Sequence, residues 1–160
     1  MDHIWSPWRY RYVSTAAPED ECIFCAKPAA GRDQENYIVY RGKWNFVILN
    51  LYPYTSGHLM IAPYEHVASI EEMAEETAQE MMSLLRRATR HLREIYRPRG
   101  LNLGMNIGEC AGAGIAGHVH MHVVPRWPGD ANFMSVVGET RVMPEALDQT
   151  YRKLKAAFSD

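Results

Sequence analysis

The sequence has little net charge and no long apolar run, and each shortage excludes a class of protein. Its 160 residues include 17 Lys or Arg and 19 Asp or Glu, for a formal net charge of −2. That balance offers no basic surface for duplex nucleic acid or an anionic membrane. No apolar stretch approaches the roughly 18 residues of a membrane span, and the N-terminus lacks signal-peptide regions. We therefore expect a cytoplasmic protein with neither nucleic acid nor membrane as a partner.

The order of predicted elements indicates one domain, residues 1–160, of the α+β class. The segment 1–36 reads as irregular, because Pro, Gly and acidic residues interrupt every periodic pattern in it. The runs that predict strands are residues 37–40, 44–51, 58–62, 101–107 and 119–124. A long amphipathic helix is predicted at 70–97, opened by a capping box of Ser69 and Glu72, and a C-terminal helix at 144–158. One long helix over about five strands, mostly in hairpins, favours an antiparallel sheet.

Three histidines alternate with apolar residues near the last predicted strand, in Gly-His-Val-His-Met-His-Val. On a strand, His118, His120 and His122 share one face. A rise of about 3.3 Å per residue separates the Cα atoms of His118 and His122 by about 13 Å. Zinc–nitrogen bonds of about 2.1 Å cannot join all three to one ion on a straight strand. The row therefore predicts separate tasks for its members, and a catalytic metal held by all three is the weakest hypothesis.

A glycine-rich loop lies directly before the histidines, with Gly108, Gly112, Gly114 and Gly117. Glycines let a backbone approach a ligand closely, and consecutive N–H groups in such turns form anion-binding nests. No Gly-Lys-Ser/Thr follows, so the loop is not of the Walker type. Beside a row of imidazoles, it indicates a bound phosphate.

Two of the three cysteines, Cys22 and Cys25, have the C-x-x-C spacing. That spacing suits a metal knuckle or a redox pair. A redox pair is expected after a strand and at the opening of a helix, whereas both flanks here read as loop. We therefore favour a metal site, which needs two further ligands to close a zinc tetrahedron.

The stretch His118-Val-His-Met-His-Val-Val resembles the signature of the histidine-triad (HIT) family of nucleotidyl hydrolases and transferases. Asn50 and the segment 57–63 resemble the family's upstream nucleotide segment, and Pro63-Tyr-Glu-His66-Val resembles the turn after it. The start IWSPWRYRYV, the following CIFC and the tail PRWPGDANFMSVVGETRV resemble a bacterial branch that cleaves diadenosine polyphosphates by hydrolysis or phosphorolysis.

The resemblance implies a five-stranded antiparallel sheet with one long helix, a homodimer, and a role for each site residue. His120 would attack the α-phosphorus of a nucleotide and form a nucleotidyl-histidine, and His122 would contact the phosphate. The residues expected to bind the nucleotide are Asn50, His58, Asn106, Gly112 and Gly114. The resemblance also implies a structural zinc, with Cys22, Cys25, His66 and His118 as its four ligands.

The resemblance leaves three functions open. The first is cleavage of diadenosine oligophosphates, or related nucleoside phosphates, by hydrolysis; the second is phosphorolysis by inorganic phosphate; the third is a zinc-stabilised nucleotide-binding module with little turnover. Histidine at position 122 mildly favours hydrolysis, because some transferase relatives carry Gln there. Many relatives carry Ser, Thr or Gln shortly before the triad, whereas this chain has Gly114-Ile-Ala-Gly, so the backbone would have to supply that phosphate contact.

Overall fold

The computed structural model describes residues 22–130 and 144–159. The aromatic N-terminal start and most of the tail that carries the branch resemblance lie outside these residues. Within the described ranges, no helix is both long and apolar enough to cross a membrane.

Five strands within residues 22–130 form one sheet, in which every neighbouring pair is antiparallel. The spatial order is β1-β2-β3-β5-β4, so β4 lies at one edge and β5 lies between β3 and β4. The strands are β1 (Ile38–Arg41), β2 (Asn45–Leu49), β3 (Leu59–Pro63), β4 (Gly100–Met105) and β5 (Met121–Arg126). Together with the helices below, this sheet confirms the predicted α+β fold.

One face of the sheet is covered by the long helix α2 (Glu75–Tyr96) and the C-terminal helix α3 (Leu147–Ala157). The helices bury Met81, Leu85, Leu92 and Leu154 against this face. The strands contribute Val47, Leu49, Leu59, Ile61 and Val123 to the same core. Burial of these side chains, each contributing about 1.5–3 kcal/mol, is the main force that holds the sheet to its helices.

The opposite face of the sheet carries His122, with His118 and His120 directly before β5, and the described residues cover only part of it. A short helix, α1 (Ile23–Ala29), inserts Phe24 into a second cluster with residues of β1, β2 and β3. The strand residues of that cluster are Ile38, Phe46, Ile48, Met60 and Ala62. His122 lies opposite Met60 of β3 and Gly104 of β4, at the border between the covered and the open part of this face.

Helix α1 corrects the expectation that residues 1–36 are irregular. It begins after Cys22, whose carbonyl accepts the N–H groups of Cys25 and Ala26. Pro28 made the segment read as loop, but it lies in the last turn of a helix of seven residues. A proline there removes one donor near the end of the helix and leaves the earlier turn intact.

Strand β5 also differs from its prediction, because it runs through Pro125 to Arg126 and begins at Met121. The Arg126 carbonyl accepts from Arg99 beside β4, so the nitrogen of Pro125 faces the β3 side. The ladder with β3 already ends at Val123. The missing N–H of Pro125 therefore breaks no ladder bond, and the strand continues.

The long helix begins later than predicted, and the predicted capping box of Ser69 and Glu72 does not form. Residues Ile70–Glu72 form a separate 3-10 turn, and α2 starts at Glu75. The Ser69 side chain makes no cap bond, while the Glu72 carboxylate accepts the N–H of Ala68, one residue before the expected partner. The C-terminal helix is likewise shorter than predicted, since it begins at Leu147.

Candidate functional site

His120 is buried, and its hydrogen bond fixes which ring nitrogen carries a proton. Its Nδ1 lies 2.8 Å from the main-chain oxygen of His118. A carbonyl only accepts, so Nδ1–H donates and Nε2 of the neutral ring keeps its lone pair. Burial lowers the pKa of His120, although the bond to the carbonyl opposes the shift. The ring therefore presents a nucleophilic nitrogen.

His122 is oriented by His58 through a chain of two hydrogen bonds. The Tyr54 N–H donates to Nδ1 of His58 at 3.1 Å, so Nε2 of the neutral His58 ring carries the proton. That Nε2 lies 3.0 Å from Nδ1 of His122 and donates to it. Nε2 of His122 is then the protonated nitrogen. Burial lowers the pKa of His122 to about 4, so the ring is a neutral donor at physiological pH.

His58 was expected to bind the nucleotide, but its side chain is only 1% exposed. Both of its ring nitrogens have partners within the protein, the N–H of Tyr54 and the ring of His122. The structure therefore places His58 behind His122. The sequence did not distinguish the two positions, because the strand pattern reveals the face of a residue but not its depth.

His118 faces the two cysteines and His66. Its Nε2 lies 2.9 Å from the main-chain oxygen of Pro63, which fixes the proton there and leaves Nδ1 as a possible ligand atom. That Nδ1 is 3.3 Å from Sγ of Cys22, 3.6 Å from Sγ of Cys25 and 3.2 Å from Nδ1 of His66. Sγ of Cys25 is 3.3 Å from Nδ1 of His66. All four ligand atoms lie within 4.8 Å of one another.

The four separations of 3.2 to 3.6 Å are close to those in a tetrahedral zinc site. With Zn–N of about 2.05 Å and Zn–S of about 2.3 Å, neighbouring ligand atoms would lie about 3.3 to 3.8 Å apart. The structure thus brings together the four predicted ligands, although His66 and His118 are far from the cysteines in the chain. A helix opens at Cys22, so the prediction of a loop after the cysteines was wrong, while the flank before them lies outside the described residues. The two imidazole nitrogens beside the sulfurs are what favour a metal.

Phe24, which lies between the two cysteines in the chain, forms a wall behind the histidines. Its ring centroid is 4.6 Å from that of His120 and 5.3 Å from that of His118, and the residue is 1% exposed. Sequence reasoning missed this contact. The available signal was the aromatic residue inside Cys-Ile-Phe-Cys, which any metal at the cysteines would hold in place.

The glycine loop reaches the site through Asn106. Gly112 ends a 3-10 turn in the left-handed conformation, φ 85°, and its carbonyl accepts from Nδ2 of Asn106 at 3.4 Å. Gly114 follows in the same loop as an exposed residue. Asn50, which was also expected to bind the nucleotide, follows β2, and its Oδ1 accepts the N–H of Tyr52 and so closes a turn.

Among the described residues, an open cleft of about 330 Å³ extends from His122 along the face of β4 and β5. Its lining includes Asn106, which was predicted to bind nucleotide, and several residues that sequence reasoning missed. Those are Tyr54, Thr55, Asn102, Leu103, Gly104, Met105, Val124, Arg126 and Asp130. Each is unremarkable in the sequence, because the pairing of β5 with β4 on one side and β3 on the other brings these separate segments together.

Comparison with known proteins identifies relatives over most of the chain. A family model described as the HIT domain matches residues 32–129. An AP-4-A phosphorylase of Mycobacterium tuberculosis is 38% identical over 166 aligned positions, which cover 99% of this chain and 85% of that protein. The Protein hit of Bacillus subtilis is 32% identical over 73% of this chain and 79% of its own length.

Solved structures resemble the fold as well. A Zn-bound histidine triad family protein from Mycobacterium smegmatis superposes with a TM-score of 0.70 and 29% identity, covering 87% of this chain and 94% of that one. A HIT family member from Bacillus subtilis gives a TM-score of 0.61 and 27% identity, covering 88% of this chain and 96% of its own.

Proposed function

The chain belongs to the HIT domain family, and from that premise we propose that it cleaves diadenosine polyphosphates by phosphorolysis, through a nucleotidyl group carried on His120. The membership confirms the family predicted from the histidine row, and the predicted enzyme class with it. The observation that carries the mechanism is the 2.8 Å bond that leaves Nε2 of His120 unprotonated.

In the first step, the lone pair on Nε2 of His120 attacks the α-phosphorus. A P–N bond forms, the bond from that phosphorus to its bridging oxygen breaks, and the nucleoside polyphosphate leaves with the electron pair. The ring becomes cationic, and its Nδ1–H remains bonded to the His118 carbonyl, which stabilises the charge. The Nε2–H of His122 and the N–H groups of the glycine loop donate to the phosphoryl oxygens as negative charge develops on them.

In the second step, an oxygen of inorganic phosphate attacks the same phosphorus. The P–N bond breaks, its electron pair returns to Nε2, and a nucleoside diphosphate is released from a neutral His120. Water in the same position would instead release a nucleoside monophosphate. The sequence alone mildly favoured hydrolysis, but the 38% identity to an AP-4-A phosphorylase over nearly the whole chain favours the phosphorolysis alternative.

A structural zinc is part of the proposal. Cys22, Cys25, His66 and His118 would hold it, with the two cysteines as thiolates and both histidines bonded through Nδ1. A zinc bound there would supply fold stability and no chemistry at phosphorus. The separations of the ligand atoms and the zinc in the relative from Mycobacterium smegmatis support this assignment.

We also propose that the chain forms a homodimer and works in the cytoplasm. Strand β4 lies at the edge of the described sheet and carries Leu103, which is 47% exposed. An exposed edge strand with an apolar side chain is suited to pairing with a second copy. Light scattering at micromolar concentration tests this point, and a monomer mass would refute it.

Product analysis tests the proposed activity. The protein is incubated with diadenosine tetraphosphate, with and without inorganic phosphate, and the nucleotides are separated. Continued turnover to ATP and ADP only with phosphate, and at most one ATP per site without it, is the expected result. AMP and ATP formed without phosphate would replace phosphorolysis by hydrolysis, and no turnover under either condition would favour the nucleotide-binding module.

A further inference from the structure

Apart from His122 and Asn106, the residues that line the cleft have no place in the mechanism so far. It follows β4 and β5 from His122 to Arg126, four residues along the strand, or about 13 Å at a rise of about 3.3 Å per residue. Its volume of about 330 Å³ falls within the range typical of small-molecule sites. Tyr54 and Val124 supply apolar surface, and the far end is polar.

The polar end of the cleft contains Arg126, whose side chain is held by its neighbours. Its Nε and Nη2 donate to the Asp130 carboxylate at 2.6 and 2.8 Å, and its Nη1 donates to Oδ1 of Asn102 at 2.6 Å. Trp127 N–H also donates to Asp130, at 3.0 Å. A guanidinium carries five N–H groups in one plane, so these bonds fix that plane and leave two donors for an incoming oxygen. Fixed donors of this kind lose little entropy when they bind a ligand.

The position of the cleft relative to His120 indicates its occupant. In a displacement at phosphorus, the leaving oxygen departs roughly opposite the attacking nitrogen. Phe24 of helix α1 packs against the ring of His120, with the ring centroids 4.6 Å apart, whereas the cleft begins at His122. A group that leaves the α-phosphorus therefore departs towards the cleft.

We propose that the cleft binds the departing half of the substrate, a nucleoside polyphosphate, with Arg126 and Asn102 as its polar contacts. The inference rests on the proposed function, because it assigns a subsite for the leaving group of that reaction. It also predicts selectivity: substrates with a long leaving group gain binding energy in the cleft, whereas activated mononucleotides do not.

Gly104 offers a way to test the cleft without touching the histidine row. It lies opposite His122 in the β4–β5 register and lines the cleft, and a Cβ added there meets no atom within 4 Å. Gly104→Val therefore narrows the cleft without a clash. Gly100→Val is the matched control: it is on the same strand, two pleats away, with equally open space, and does not line the cleft. Asn102→Ala serves as a second, milder variant.

Two substrates distinguish an effect on leaving-group binding in the cleft from an effect on the chemical step. The first is diadenosine tetraphosphate; the second is adenosine 5′-phosphorimidazolide, whose leaving group is a single imidazole. We expect Gly104→Val to lower kcat/KM for the dinucleotide by about tenfold or more and Asn102→Ala to lower it severalfold, with the imidazolide within about twofold of wild type in both. Gly100→Val should match wild type for both substrates.

Three results would overturn the inference. The first is a Gly104→Val enzyme that matches Gly100→Val on the dinucleotide, and the second is an equal loss on both substrates. The third is a changed oligomeric state of Gly104→Val in light scattering without substrate selectivity, which would make the cleft a surface between copies of the chain. Failure of wild type to turn over either substrate would instead refute the proposed function, so the two failures are distinguishable.

Discussion

The side chain of His120 donates to the main-chain carbonyl of His118, and the side chain of His118 in turn faces the two cysteines. His118 thus connects the proposed metal site to the proposed nucleophile, His120. The ring of Phe24, between the cysteines in the chain, packs against both histidines. Anything that orders the cysteines therefore also orders His120.

The first prediction concerns the proposed zinc site of Cys22, Cys25, His66 and His118. Cys22→Ser should lose the one molar equivalent of zinc expected in the wild type and unfold with a free energy lower by several kcal/mol, because metal binding contributes directly to folding. Cys110→Ser is the matched control, since Cys110 is exposed and lies outside the cluster. Metal analysis and urea unfolding check the pair. A full equivalent of zinc in Cys22→Ser would rule out the proposed ligand set.

Phe24 is predicted to position His120. Phe24→Leu and Phe46→Leu both shrink a fully buried ring in the same cluster, so each should lower the free energy of unfolding by about 1–3 kcal/mol. Only Phe24→Leu should also lower kcat, by about tenfold, because Phe46 stacks on Tyr64 instead of a histidine. Equal kcat values in two variants that retain zinc would show that Phe24 acts only through stability.

His58 is predicted to set the tautomer of His122. His58→Leu removes the donor to Nδ1 of His122 and should lower kcat by about 10- to 100-fold with little change in KM. His58→Gln should recover part of the rate, because its amide can donate to the same nitrogen. An equal loss in both variants would indicate a packing role, and that result would contradict the orienting role.

The depressed pKa of His122 predicts an acid-dependent loss of stability. The unfolded chain takes up a proton near pH 6.5, whereas burial keeps the folded ring neutral down to about pH 4. Stability is therefore lost as the pH falls, by about 2 kcal/mol between pH 7.5 and pH 5 from this residue. Between pH 7.5 and pH 5, the free energy of unfolding of His122→Gln should therefore fall by about 2 kcal/mol less than that of the wild type, as measured by urea unfolding. Parallel pH dependence in the two proteins would contradict the assignment.

The sequence predicted the approximate positions of the strands but not the depth of each histidine. Alternation on a strand predicted that His118, His120 and His122 share a face, but β5 begins at Met121, so of the three only His122 lies on the strand. Only the packing of Phe24 shows that His118 and His120 are buried, and only the pairing of β3 with β5 shows that His58 lies behind His122. Arg126 and Asp130 gave no signal, because an Arg and an Asp four residues apart are common on any surface.

The most direct test of the account is the site of covalent attachment. Wild type is mixed with diadenosine tetraphosphate without inorganic phosphate, quenched in alkali, digested and mapped by mass spectrometry. The account predicts one adenylyl group on His120, discharged as ADP when phosphate is added before the quench, and no adduct in His120→Ala. An adenylyl group on another residue, or turnover by His120→Ala, would contradict it.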